Sequence, residues 1–199
     1  MKRLLRYWLL AVFVSTILGC GLAAREIKTR AQSERTDIFR EVNEESPPTK
    51  GLVDLEIKTS VKTHLENYYF IEFKNSAHGK PEYPFLVNID GQASLWKVTG
   101  QIEVTPKYDE SRKRIPEGGE GMRYVLDRKV RLASGPHNIF FGLPGEDYFI
   151  EFNLTLMEGE VNLLEFQPGY RSTRGQGTQS FLNGVKNGQV FLNKNLLVQ

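Results

Sequence analysis

Three histidines, His64, His78 and His137, are the side chains of this sequence best suited to hold a metal ion or move a proton. No two of them stand at the short spacing that places two imidazoles on one element. With one cysteine in the chain, a structural zinc site would also need carboxylates in place of sulfur. His137 follows Gly135-Pro136, where a turn histidine satisfied by a backbone group is the simpler reading than a ligand or a base. His78 lies in Ser76-Ala77-His78-Gly79-Lys80, a loop signature with no partner in view. A serine nucleophile needs a base and a sharp glycine-flanked turn, and no G-x-S-x-G occurs. Ser134-Gly135 beside His137 is too local to make a triad. Gly118-Gly119-Glu120-Gly121 and Gly175-Gln176-Gly177 lack the Lys-Ser/Thr pair and the helix of a phosphate cradle. No calcium loop of the EF-hand type is present. Carboxylates for glycoside hydrolysis exist at Glu146-Asp147 and Glu158/Glu160, but both sets sit at predicted turns where solvation accounts for them. We therefore assign no catalytic, metal or cofactor-binding residue and expect a protein that is not an enzyme. The residues with most promise for recognition are aromatic. Tyr68-Tyr69-Phe70, in a predicted strand, sends its two tyrosines to opposite faces, so at least one reaches solvent. Trp96 reads either as a stacking surface with them or as core.

Cys20 stands apart from all of these. It follows a basic head (Lys2, Arg3, Arg6) and an uncharged apolar run from Tyr7 to Leu18, which together have the parts of a secretory signal peptide. Ile17-Leu18-Gly19-Cys20 resembles the lipobox of bacterial lipoproteins, with Leu18 bulkier than that family's usual residue before the glycine. The resemblance implies diacylglycerol on the Cys20 sulfur, removal of residues 1–19 and acylation of the new amino group. Several acyl chains, at ~0.8 kcal/mol per buried CH₂, make such an anchor effectively permanent. In Gram-negative lipoproteins, Gly21 rather than Asp after the cysteine implies the outer membrane. The alternative is a retained signal anchor in the inner membrane. Tyr7 to Ala24 is uncharged, and in helix it would be about 27 Å long against a ~30 Å bilayer core.

Composition agrees with one neutral globular domain. Of 199 residues, 40% are hydrophobic and 11% aromatic, which excludes a disordered polar tract, and one cysteine excludes a disulfide scaffold. The net charge of +2 rests on the N-terminal segment. Without it 23 basic residues face 24 acidic ones, and no nucleic-acid footprint remains.

Residues 20–50 read as a polar tether. A short helix is allowed between Ala23 and Glu44, with a thin apolar stripe of Ile27, Ala31, Ile38 and Val42, and Pro47-Pro48 ends it. From residue 51 the texture changes to period-2 alternation, beginning with Val53, Leu55 and Ile57. Strands are expected at Tyr69–Phe73, Phe85–Ile89, Leu95–Val98, Gln101–Val104, Tyr124–Leu126 and Val130–Leu132. Others follow at Asn138–Phe141, Tyr148–Leu156 and Val161–Phe166. Asp90-Gly91, Ser134-Gly135-Pro136, Pro144-Gly145, Glu158-Gly159 and Pro168-Gly169 separate many of these. A last hairpin is expected from Phe181-Leu182 and Val190-Phe191-Leu192 around Lys186-Asn187-Gly188. Pro106 to Gly121, dense in charge, reads as a long solvated loop, either a mobile hairpin tip or a binding loop. The expected fold class is all-β, an antiparallel β-sandwich over residues 51–199, preceded by the signal peptide and a partly helical tether.

Within that domain, Leu86 to Gly91 and residues 130–168 resemble a PEGA-type module, a small β-sandwich of bacterial envelope proteins. The opening strand and Asp90-Gly91 turn carry the likeness, with the Gly-x-His turn at Gly135-Pro136-His137, Gly145 to Tyr148, and the strand and turn ending at Glu158-Gly159. About forty residues interrupt the pattern, and two acids part Gly145 from Tyr148. The resemblance implies a non-catalytic envelope module. The expectation is thus a membrane-anchored lipoprotein, held by lipidated Cys20, that binds or scaffolds a protein or glycan partner and does not bind nucleic acid. The alternatives are a lipoprotein enzyme acting on cell-wall or surface polysaccharide, and a structural subunit adding edge strands to its neighbours.

Overall fold

The structure is a computed structural model and describes residues 19–42, 46–72, 76–159, 162–173, 175 and 177–198. The apolar run of the expected signal peptide lies outside these residues. Among the described residues a helix, α1 (Gly19–Arg30), precedes eleven strands. In chain order they are β1 (Phe39–Glu41), β2 (Leu52–Thr63), β3 (Glu82–Ile89), β4 (Gln92–Thr99), β5 (Gln101–Thr105) and β6 (Gly119–Ala133). There follow β7 (Gly135–Leu143), β8 (Tyr148–Leu156), β9 (Asn162–Tyr170), β10 (Val185–Leu192) and β11 (Asn195–Val198). One sheet runs β1-β6-β2-β9-β10-β11, with β5 pairing the other half of β6, and the second runs β4-β3-β7-β8. Among the described residues all strand pairings are antiparallel except β2 with β9. The all-β sandwich read from the sequence is the fold.

Alternation builds the core. Val53, Leu55, Ile57 and Val61 point inward from β2, and Phe85, Val87, Ile139 and Phe141 meet them from the opposite sheet. Phe141 stacks on Phe166 of β9 with ring centroids 3.8 Å apart. Asp90 and Gly91 both have positive φ, 48° and 91°, as a tight type I′ turn between β3 and β4 requires.

Several expectations need correction. The segment read as a tether is docked onto the sandwich. Ile27 of α1 is 5% exposed and packs on Leu86 and Phe140, which face outward from β3 and β7. Arg30 lies over the Phe140 ring and pairs with Glu151 at 2.9 Å. Phe39 of β1 joins the main core, and β1 pairs with the end of β6. The reason is an outer sheet face too apolar to leave in water, since burying one Ile side chain is worth about 1.5–3 kcal/mol. The strand expected from Tyr69 is also absent: residues 69–71 form bends, 69–72 have no strand partner, and Phe73 lies outside the described residues. Tyr124–Leu126 and Val130–Leu132 are one continuous strand. Finally, Asn187-Gly188 runs inside β10, next to a register shift, and the terminal hairpin turns instead at Asn193-Lys194, with φ of 51° and 68°. Phe181–Asn183 is a 3-10 turn.

The loop after β5 is itself folded. Tyr108 bridges Arg114, and the Ile115 amide donates to Lys107 O at 3.0 Å. Among the described residues no helix is long and apolar enough to cross a membrane.

Candidate functional site

Three connections converge at one end of the sandwich. The chain leaves β2 at Thr63 and passes through turns at 64–72. It returns through Ser76–Lys80 to start β3, while the β7–β8 turn and the 3-10 turn close in from the other side. Two glycines let these segments touch. Gly79 has φ +67°, and a Cβ there would fall 2.0 Å from the Glu66 amide nitrogen. Its own amide donates to Thr63 Oγ1 at 3.0 Å, which fixes His78 against the end of β2. Gly184, with φ +78°, leaves room for the Glu146 carboxylate that a Cβ would meet at 2.4 Å.

The result joins His64 to His78. His64 is 2% exposed, and its Nε2 lies 2.9 Å from His78 Nδ1. The partners of the other two nitrogens assign the tautomers. His64 Nδ1 is 2.9 Å from Leu65 O, a carbonyl that can only accept, so Nδ1 carries the proton. His78 Nε2 is 2.6 Å from Glu146 Oε1. That carboxylate also accepts from Tyr83 Oη at 3.3 Å and from the Val185 amide at 2.9 Å, so it accepts from His78 as well. Burial foremost, and then the charge of Glu146, pushes the Tyr83 phenol well above its ordinary value and keeps it a donor. In the neutral rings, the two nitrogens that face each other are therefore both lone pairs.

Glu72 completes the group. Its Oε1 accepts from Ser76 Oγ at 2.8 Å and stands 3.5 Å from His64 Nε2. The three atoms, two imidazole nitrogens and a carboxylate oxygen, lie within 4.8 Å of one another, a donor set suited to a divalent metal ion. They border a cleft of about 660 Å³ that also touches Tyr69, Asp147 and Asn183.

Tyr68 and Tyr69 belong to this end as well. His64 stacks on Tyr68 with centroids 5.6 Å apart and meets the Tyr69 ring edge-on at 5.1 Å. Tyr69 Oη donates to Leu182 O at 3.2 Å. Both tyrosines are exposed, and the residues after them project further: Phe70 is 104% exposed and Ile71 86%. Trp96 takes the core side of the two readings left open. It is 6% exposed, and its Nε1 donates to Glu41 at 2.7 Å, so it contributes nothing to this surface. His137 sits at the opposite end, with Nδ1 2.6 Å from Asp90 Oδ2 and Nε2 2.9 Å from Ala133 O. A carboxylate and a backbone carbonyl thus face its two ring nitrogens. Of Cys20 the structure describes only the backbone, in the first turn of α1.

Sequence reasoning did not bring His64, Glu72 and His78 together. The sole trace was His78-Gly79, a glycine placed for close backbone approach directly after a possible ligand. Compared with protein-family models, curated proteins and solved structures, the chain matches none.

Proposed function

We propose that the chain is a lipid-anchored envelope protein whose PEGA-like sandwich, with no catalysis of its own, docks a protein partner at the His64–His78 end. The observation that carries the docking surface is the run Tyr68 to Ile71, four consecutive exposed apolar or aromatic side chains on the rim of a polar cleft. Contiguous apolar exposure rimmed by polar groups is typical of a protein-binding surface. Phe70 and Ile71 bring no hydrogen-bonding side-chain groups, which suits an apolar protein surface better than a glycan. The Tyr68 and Tyr69 rings, packed on His64, lose little conformational entropy on binding.

The anchor rests on the lipobox-like Ile17-Leu18-Gly19-Cys20. Ile27, docked on the sandwich, is seven residues after Cys20, a helical rise of about 10 Å. Lipid on Cys20 would hold the sandwich close to the bilayer surface, with the outer membrane as the proposed location.

Two measurements test the reading. Labelled palmitate enters the wild-type chain, and Cys20→Ser abolishes the label and releases the protein from the membrane fraction; an unlabelled wild type refutes the anchor. A photo-crosslinker at Phe70, in native envelope, gives one discrete protein adduct, and the same group at Leu196 of β11 gives none. Adducts at Leu196 alone would favour edge-strand scaffolding, and an oligosaccharide bound at the cleft would favour the glycan reading.

A further inference from the structure

We propose that His64 Nε2, His78 Nδ1 and Glu72 Oε1 bind a divalent transition-metal ion of the zinc type, with an open coordination position turned to the cleft. This deepens the docking reading of the same end and rests on it for its purpose, though not for its chemistry.

The chemistry rests on where the protons are. Two neutral imidazoles usually meet with one N–H aimed at one lone pair. Here each ring spends its N–H elsewhere, His64 on Leu65 O and His78 on Glu146, and two lone pairs face across 2.9 Å. That arrangement is repulsive until a positive centre sits between or beside them. A shared proton is one such centre and a metal ion is another; the rest of the site has the form that metal ions favour. Each ligating histidine donates its second nitrogen to an oxygen, a carboxylate in one case and a backbone carbonyl in the other, as supporting groups of metal-bound histidines do. The third donor, Glu72, is oriented in turn by Ser76.

Distances agree. Zinc–ligand bonds of ~2.0–2.1 Å in tetrahedral geometry place neighbouring donor atoms about 3.3 Å apart. The separations of 2.9 Å and 3.5 Å bracket that value. Two nitrogens and one carboxylate leave a fourth position, which faces the cleft where Asp147 and Asn183 stand. The ion would join residues 64, 72 and 78, pinning both ends and the middle of the loop that carries Tyr68 to Ile71. Its role would be to hold the aromatic rim in the shape a partner reads.

The test uses the full-length protein in detergent, stripped with a chelator and titrated with Zn²⁺ against a chromophoric competitor. The expected result is one Zn²⁺ per chain at this site. His64→Ala and His78→Ala each weaken binding at least 100-fold. Glu146→Gln, a positioning change that touches no metal, weakens it about 10-fold, and His137→Asn leaves it unchanged. Because an alanine at His64 also removes packing, Glu72→Gln serves as the mild variant, with an expected loss of about 10-fold and an unaltered circular dichroism spectrum. Histidine side-chain nitrogen NMR gives the sharpest readout: Zn²⁺ shifts Nε2 of His64 but Nδ1 of His78. No saturable binding, or binding indifferent to His64 and His78, overturns the proposal. Crosslinking at Phe70 separates the two readings. An adduct without zinc binding removes the metal and keeps the docking surface, and zinc binding without an adduct supports the metal and removes the docking surface.

Discussion

Lys62 and His64 are two residues apart at the end of β2, both buried, and their surroundings are opposites. Lys62 is 0% exposed and covered by the 106–118 loop and the Phe181 ring, 5.0 Å from its Nζ. Its three ammonium protons have three acceptors: Thr105 Oγ1 at 2.8 Å, Glu117 O at 3.0 Å and Gly119 O at 2.8 Å. Around it, Arg123 bonds Ser60, Glu103 and Glu117, and Tyr170 Oη donates to Glu117 at 2.6 Å. Every bond this lysine can make is made, and desolvation, the largest influence on it, lowers its pKa. His64 spends one nitrogen on the backbone and turns the other towards a second lone pair. Burial of a polar group is therefore a poor guide to function. A closed set of partners marks a structural group, and a donor atom left facing its own kind marks one kept for a ligand.

The strongest way to break this contrast is to open the closed network. Lys62→Met keeps most of the aliphatic stem, but it strands two carbonyls and leaves Glu103 without its nearby ammonium, 3.6 Å away. The expected loss is about 3 kcal/mol in chemical denaturation, with faster trypsin cleavage in the exposed Arg112–Arg114 tip. Zinc stoichiometry should not change. A stability within about 0.5 kcal/mol of wild type would mean that the network does not hold the loop, and the contrast with His64 would fail.

The sequence made legible whatever depended on one solvated face. Alternation located β2, and it runs through β8 from Glu151 to Leu156, where polar residues on the outer face leave a period of two. It also located strands buried on both faces, at Phe85–Ile89 and Asn138–Phe141, but not what covers their outer side. Phe85–Ile89 and Ile139-Phe140-Phe141 are nearly continuous apolar runs, and such runs signal a covered outer face. The cover was α1, and the stripe of Ile27, Ala31, Ile38 and Val42 to which its Ile27 belongs looked too thin to dock. The terminal hairpin was misplaced because Asn187-Gly188 is a stronger turn signal than Asn193-Lys194, yet β9 held β10 straight through it. Lys62 continued the polar parity of Asp54, Glu56 and Lys58, so nothing local marked it as buried. The His64–His78 pair was illegible for another reason. Its two members lie fourteen residues apart across turns, and spacing rules describe ligands that share an element.

A smaller effect sharpens the contrast from the opposite end of the molecule. His137, like Lys62, has an oxygen on each polar atom, Asp90 on one side and Ala133 on the other. His137→Asn should cost about 1–2 kcal/mol through the lost charge-assisted bond while leaving zinc affinity untouched. If the variant weakened zinc binding, His64 and His78 would not be the special pair among the three.

The smallest effect belongs to the acid limb of the closed network. Hydrogen bonds from Arg123, then one from Thr105, hold the Glu103 carboxyl down from 4.5 to about 2. The folded state thus binds this proton more weakly than the unfolded chain does. The stabilisation is complete above about pH 4.5 and is lost as pH falls towards 2. Because the Glu103 side chain is 38% exposed, solvent screening should keep the contribution under about 1 kcal/mol. Denaturation at pH 5 and pH 3, in the presence of chelator, should show wild type losing more stability between the two than Glu103→Gln. Equal losses would remove Glu103 from the network and leave Lys62 resting on neutral oxygens and Glu117. The chelator keeps the metal-binding end out of the measurement, so the difference between the two proteins reports on the Lys62 side alone.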